Sequence, residues 1–233
     1  IGAIAPHCNA PWDKGRMMKI YADPISVNCR KVIAGLKLMG IEFELENVDY
    51  FQGQHKSAEY LAINPNGSMP SMVDGDFTLW ESNAILQYVA DKHGKNEFYP
   101  TDLKRRADVN RWLLWESSSW FPCCYIYLVE NVVQPLMDSE PDTAVLAEQD
   151  ETFHLLAGIL DERLSASDWL CGSTPTIADI AVASPMHLYG PQSGLQKLPL
   201  DDHPNLYRWM TENVEKLPCW EETHVGPNFK LGR

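Results

Sequence analysis

Ser26 follows the turn Asp23-Pro24 and opens an apolar-periodic run, so its hydroxyl lies where a strand gives way to a helix. At such a junction a hydroxyl either caps the helix or faces outward at its positive end. Trp80-Glu81-Ser82-Asn83 puts a carboxylate and a hydroxyl at the mouth of another helix. There Glu81 can hold an ammonium and the free N–H groups a carboxylate, while Ser82 serves equally well as a plain N-cap. In Asn64-Pro65-Asn66-Gly67-Ser68-Met69-Pro70 a proline enters the strand Ser71-Val73, where a trans ring would block a ladder bond. A cis Met69–Pro70 peptide removes that conflict and turns the Met69 backbone outward, toward any extended peptide that could pair with it; an ordinary loop proline is the alternative. Gln54-His55-Lys56, in a polar loop, reads on its own as a solvated face.

The elements that must position these groups follow from periodicity. Lys19–Ala22 reads as a strand, Asn28–Met39 as a helix closed by Gly40, and Phe43, Leu45 and Val48 as a second strand. A short helical piece at Tyr60-Leu61 and Ile63 precedes a hairpin, Ser71–Val73 and Phe77–Leu79, turned at Asp74-Gly75-Asp76. A helix through Ala84–Val89 completes the order βαβαββα. After Gly94 a polar connector leads into sequence of helical period throughout: one long helix, or two with a kink at Pro122, from Leu103 to about Asn131, then Asp142–Leu164, Ile177–Tyr189 and Asn205–Leu217. The expected organisation is an extension over 1–17, an α/β domain over 18–94, a linker over 95–103, an all-α domain over 104–225 and a tail over 226–233.

Composition narrows the chemistry. The chain has 233 residues, 45% hydrophobic and 22% charged, enough for two ordinary domains with real cores. Its net charge of −13 repels nucleic acid and acidic lipid, so an anionic ligand needs a local cationic or N–H-lined site. No apolar run approaches the roughly 20 residues that cross a bilayer, so a soluble chain is expected. Cys8, Cys29, Cys123, Cys124, Cys171 and Cys219 form no CxxC, and the histidines form no HxxxH pair. Reduced thiols in a cytoplasm and no metal are the expectation.

Taken together, these motifs resemble the soluble glutathione transferases, from about Lys19 to Trp220. The resemblance rests on the βαβαββα order, the NPxGxxP run at Asn64–Pro70, the Glu81-Ser82 pair and the Thr176-Ile177-Ala178-Asp179 box, which reads as a helix capping box. Pro24-Ile25-Ser26-Val27-Asn28-Cys29-Arg30 is similar to the serine-type theta and phi classes, and a bacterial or fungal member is expected. The resemblance implies a thioredoxin-like α/β domain, an all-α second domain, and transfer of glutathione to small hydrophobic electrophiles in detoxification. It implies that Ser26 donates a hydrogen bond to the glutathione sulfur; the rival it also allows is a mixed disulfide at Cys29, as in the cysteine-type classes, against which stands the place of Cys29 inside the helix rather than at its tip. Ser68, Met69 and Pro70 would meet the cysteinyl part, Glu81 and Ser82 the γ-glutamyl end, and His55 and Lys56, as the local cations, the glycyl carboxylate. Among the crowded Trp112, Trp115, Trp120 and Phe121, the expected electrophile site takes Trp115, Trp120 and Phe121. A cytoplasmic homodimer is implied, with Asn110 standing where theta-like members carry an acid that reaches the partner subunit. Glutathione-dependent dehalogenase, isomerase or peroxidase chemistry, or a non-catalytic binding module, are the alternatives the fold allows.

Overall fold

Ile20 and Ala22 alternate with partly exposed neighbours and are wholly buried, which makes β1 (Lys19–Ala22) the sheet's central anchor. The structure, a computed structural model, describes residues 17–189 and 194–225. The expected N-terminal extension, apart from Met17, and the expected tail lie outside the described residues. After β1 come α1 (Val27–Leu38), β2 (Glu44–Asn47), α2 (Ala58–Leu61), β3 (Ser71–Asp74), β4 (Phe77–Trp80) and α3 (Ser82–Lys92). Gly40, at φ 64°, ends α1: its N–H reaches Lys37 and that of Ile41 reaches Leu36, a Schellman closure.

The sheet order is β2-β1-β3-β4, with β1 and β2 parallel and the other pairs antiparallel. Tyr21 and Trp80 both pair with Ser71. That register puts the end of β1, the start of β3 and the end of β4 on one edge, and the parallel pairing brings the end of β2 there too. α1 and α3 pack closely, and a side chain at Gly35 would meet Leu86 at 2.4 Å.

The second half is helical. α4 (Leu103–Trp115), α5 (Phe121–Leu128) and α6 (Gln134–Leu136) form one continuous rod, joined by π-helical turns at Glu116–Trp120 and Val129–Val133. Each widened turn precedes a proline, Pro122 or Pro135, which has no N–H to give and whose ring collides with the carbonyl four residues back in a regular helix. The kink expected at Pro122 is thus absorbed as a change of pitch. α7 (Thr143–Ser165) starts at Asp142, whose carboxylate accepts from Ala144 and Val145. α8 (Ile177–Ala183) is shorter than the periodicity suggested, because Pro185 turns the chain into a 3-10 turn at Ser184–Met186. α9 (Pro204–Arg208) runs on through a π turn and a 3-10 turn to Lys216, and α10 (Pro218–Glu221) follows.

A continuous core runs from Ile20, Met72, Ile85 and Leu86 into Trp112, Trp120, Phe153, Trp209 and Trp220 of the helical half. α1 is the joint between the halves. Arg30 is wholly buried, its guanidinium lying 4.1 Å over the Trp220 ring and donating to the carbonyls of His187 at 2.7 Å and Trp220 at 2.9 Å.

Candidate active site

The shared edge of the sheet collects the groups singled out in the sequence. Ser26 follows β1, Met69–Pro70 precede β3, Glu81–Ser82 follow β4, and His55–Lys56 lie beyond β2. Side-chain bonds tie them further. Asp23 accepts from the backbone of Ile25 and of Tyr50, fixing the loop before Ser26 to the segment that carries His55. Asn28, in the first turn of α1, accepts from the Ser82 hydroxyl at 3.3 Å.

Ser26 is the N-cap residue of α1 with extended backbone, φ −70° and ψ 132°, yet its side chain makes no capping bond. The Cys29 thiol lies one turn along. Cys29 is wholly buried, and burial pushes its thiol up to about 12, against the pull of Ser26 and of the Asp23 backbone. A thiol held there carries no thiolate near neutrality, so the disulfide chemistry has no nucleophile.

The Met69–Pro70 peptide is cis. The loop before it is built around Asn64, wholly buried, whose amide donates to the Ser68 carbonyl at 2.7 Å while its oxygen accepts from Asn66. Tyr60 closes the other side, its hydroxyl donating to the same carbonyl and meeting the Ser71 hydroxyl at 2.8 Å. Lys56 reaches the Gly67 carbonyl, and Gly67, at φ 58°, occupies a left-handed turn. His55 is stacked on Tyr50 with ring centroids 4.5 Å apart. Desolvation, and secondarily Lys56, holds its imidazole below the ordinary 6.5, and its Nδ1 is buried without a partner. Of the two expected cations, His55 is thus shifted toward its neutral form.

At the mouth of α3, Glu81 is exposed at φ 75°, a costly backbone for a residue with a Cβ, and its side chain is free of capping duty. Ser82 beside it is 8% exposed and makes no cap bond to its own helix. Its oxygen accepts instead from Lys31 of α1 at 3.2 Å. Lys31 and Glu116, 1% and 0% exposed, form a buried ion pair with both carboxylate oxygens at 3.0 Å. Asn83 donates to Glu116 and to the Leu113 carbonyl, so the first turn of α3 is bolted to the end of α4. Sequence reading missed both charged residues. The signal was present: Lys31 stands one turn after Val27 and one before Gly35, a charge on the face of α1 that packs inward.

The expected electrophile residues separate. Trp120 is wholly buried, donates to the Val182 carbonyl and packs on Phe153, so it belongs to the main core and not to a substrate site. Trp115 is half-buried and stacks on Trp120 at 5.9 Å, packed against that same core. Phe121 differs: it packs on a second cluster, Val27, Leu128, Val132 and Leu188, whose Val27 directly follows Ser26. Tyr125, 45% exposed and stacked on Phe121, extends this surface and was not anticipated. Asn110 turns inward, accepting from Gln87 at 2.7 Å and Tyr99 at 2.9 Å, and is committed within its own chain. Among the described residues no helix is long and apolar enough to cross a membrane, and no three His, Cys, Asp or Glu converge as a metal site requires.

Comparison with known proteins agrees with this architecture. The sequence profile of the glutathione S-transferase N-terminal domain matches residues 16–91, and that of the C-terminal domain residues 126–217. The chain is 32% identical to a probable glutathione S-transferase of Oryza sativa subsp. japonica, over 84% of this chain and 90% of that protein. It is 36% identical to glutathione S-transferase theta-1 of Homo sapiens, over 82% of this chain and 80% of that one. Among solved structures, the theta class glutathione S-transferase from Xanthomonas axonopodis pv. citri, crystallised with glutathione bound, superposes with a TM-score of 0.77 at 25% identity, covering 90% of this chain and 97% of that one. The two sequence relatives come from a plant and an animal, so the expected bacterial or fungal affiliation gains no support from them.

Proposed function

The chain belongs to the glutathione S-transferase family, and we propose that it activates glutathione through Ser26 for attack on small hydrophobic electrophiles. The observation that carries this reading is the Ser26 hydroxyl, which makes no capping bond and stands at the N-terminus of α1, on the sheet edge shared with Met69, Glu81 and Ser82.

A free thiol titrates near 8.5, so only a few per cent is ionised at neutral pH. A hydroxyl donating to the sulfur, together with the positive end of α1, stabilises the thiolate; a two-unit shift corresponds to about 2.7 kcal/mol, within reach of those two effects combined. The proton leaves to solvent, and the sulfur lone pair forms the new S–C bond as the electrophile's leaving group departs or its π bond opens. Glutathione lies extended along the sheet edge. Met69 pairs with its cysteinyl backbone, held in shape by Ser68 and Pro70. Glu81 takes the γ-glutamyl ammonium, the N–H groups opening α3 with Ser82 take its carboxylate, and Lys56 with His55 take the glycyl carboxylate. The electrophile rests on Phe121, Tyr125 and Val27, with Trp115 as a prop behind. The protein acts as a cytoplasmic homodimer in detoxification. Pairing is supported by the large apolar side chains exposed on the edge strand β4, Phe77 and Trp80, and on α4, Leu103 and Leu114.

Calorimetric titration with glutathione, followed by steady-state assays across aryl halides, alkyl halides, isomerisable double bonds and organic peroxides, tests the reading. Binding followed by conjugate formation is expected. Absence of glutathione binding would overturn it, and turnover confined to dehalogenation, isomerisation or peroxide reduction would replace it with that activity.

A further inference from the structure

Lys31 places its charge directly behind the residue that opens α3. All three ammonium protons are assigned: one to each oxygen of Glu116 at 3.0 Å and one to Ser82 Oγ at 3.2 Å. Two consequences follow for Ser82. Its oxygen is occupied by the ammonium, while the N-cap position of α3 belongs to Glu81 before it. Its proton is left as a donor, aimed in this structure at Asn28 through a long 3.3 Å contact that a stronger acceptor would win. Glu116 is held in turn by Asn83 and Ser117, so the pair spans the two halves of the molecule.

A buried ion pair gains little stability over well-packed apolar residues, so its placement rather than its energy calls for explanation. The Asn110 oxygen accepts from Gln87 and Tyr99 of its own chain. We propose that Lys31 is a positioning residue for the carboxylate of the γ-glutamyl group, acting through Ser82, and that Glu116 from the helical half keeps it charged. This inference rests on the glutathione reading above and adds that recognition of that end is complete within one chain. Lys31, its charge balanced by Glu116, fixes the Ser82 hydroxyl as a donor beside the N–H groups of α3, so the site discriminates for a carboxylate at that point.

The test compares glutathione with γ-aminobutyryl-cysteinylglycine, the same tripeptide without that carboxylate, by calorimetry on the full chain. The wild-type protein should prefer glutathione at least about 10-fold, the size of one charge-assisted hydrogen bond. Lys31→Met should reduce that preference to about two-fold while leaving the affinity for the analogue unchanged, and Lys31→Arg should restore part of it. Should the single variant fail to fold with Glu116 left unpaired, Lys31→Met/Glu116→Gln, which removes both buried charges, carries the same comparison. A variant that weakens both ligands equally, or that keeps the wild-type preference, overturns the positioning role. Failure of the wild-type protein to bind glutathione at all overturns the glutathione reading itself, and this inference with it.

Discussion

Ser26 and Cys29 show how little separates an accessible group from a buried one. They lie three residues apart, but Ser26 sits at the helix tip, half-exposed, and Cys29 is wholly buried in the core. Burial pushes the Cys29 thiol to about 12, and it supplies no nucleophile. Cys29→Ala is therefore expected to keep turnover within about three-fold and to lower stability by about 1 kcal/mol through the lost packing; loss of all activity in a folded variant, by steady-state assay, would return the cysteine to the mechanism. Side-chain identity and spacing made Ser26, Glu81 and Ser82 readable in the sequence, because strand ends and helix starts leave periodic signatures. The lowered His55 imidazole was not readable, since it depends first on burial and then on Lys56 next to it. Nor was the burial of Trp120, because an aromatic at helical spacing looks the same whether it faces Phe153 or a substrate.

The elements were legible where local chemistry decides them and obscure where tertiary contacts do. The Thr176–Asp179 box is local: Thr176 accepts from Ala178, and Asp179 accepts from the Thr176 backbone and hydroxyl. Asp179 also takes the backbone N–H of Leu170, which stitches the preceding loop to α8. Thr176→Ala or Asp179→Ala should each lower stability by about 1–2 kcal/mol, read from denaturant midpoints, and unchanged midpoints would refute the box. Burial pushes the Asp179 carboxyl up to about 6, against the hydrogen bonds from Leu170 and Thr176 that pull it down. A carboxyl raised on folding binds its proton more tightly in the native state. Its contribution to stability is thus present below the unfolded value near 4 and lost as pH rises through 6. The stability difference between wild type and Asp179→Asn should therefore be larger at pH 4 than at pH 7, by about 1–3 kcal/mol; a difference independent of pH would contradict it. The π turns at Glu116–Trp120 and Val129–Val133, by contrast, had only Pro122 and Pro135 to announce them, and a proline alone does not say whether a helix breaks, kinks or widens.

At the scale of the whole molecule, α1 joins the two halves through two buried cations, Arg30 against Trp220 and Lys31 against Glu116, so the sheet edge that carries Ser26 and the helical half are held by one helix. None of this joint was legible from periodicity, because its partners are 85 to 193 residues apart in sequence. Pairing of two copies through exposed apolar groups predicts a sedimenting species of twice 26.4 kDa at micromolar concentration, and a monomer there would remove the dimer. The central claim is that the Ser26 hydroxyl lowers the pKa of bound glutathione, and ultraviolet titration of the bound thiolate tests it most directly. Ser26→Ala should leave the glutathione Kd within a few-fold, raise the thiol pKa toward its free value, and cut turnover at neutral pH by about 10- to 100-fold, with partial recovery as pH rises. An unchanged thiol pKa and an unchanged rate in Ser26→Ala would contradict the account.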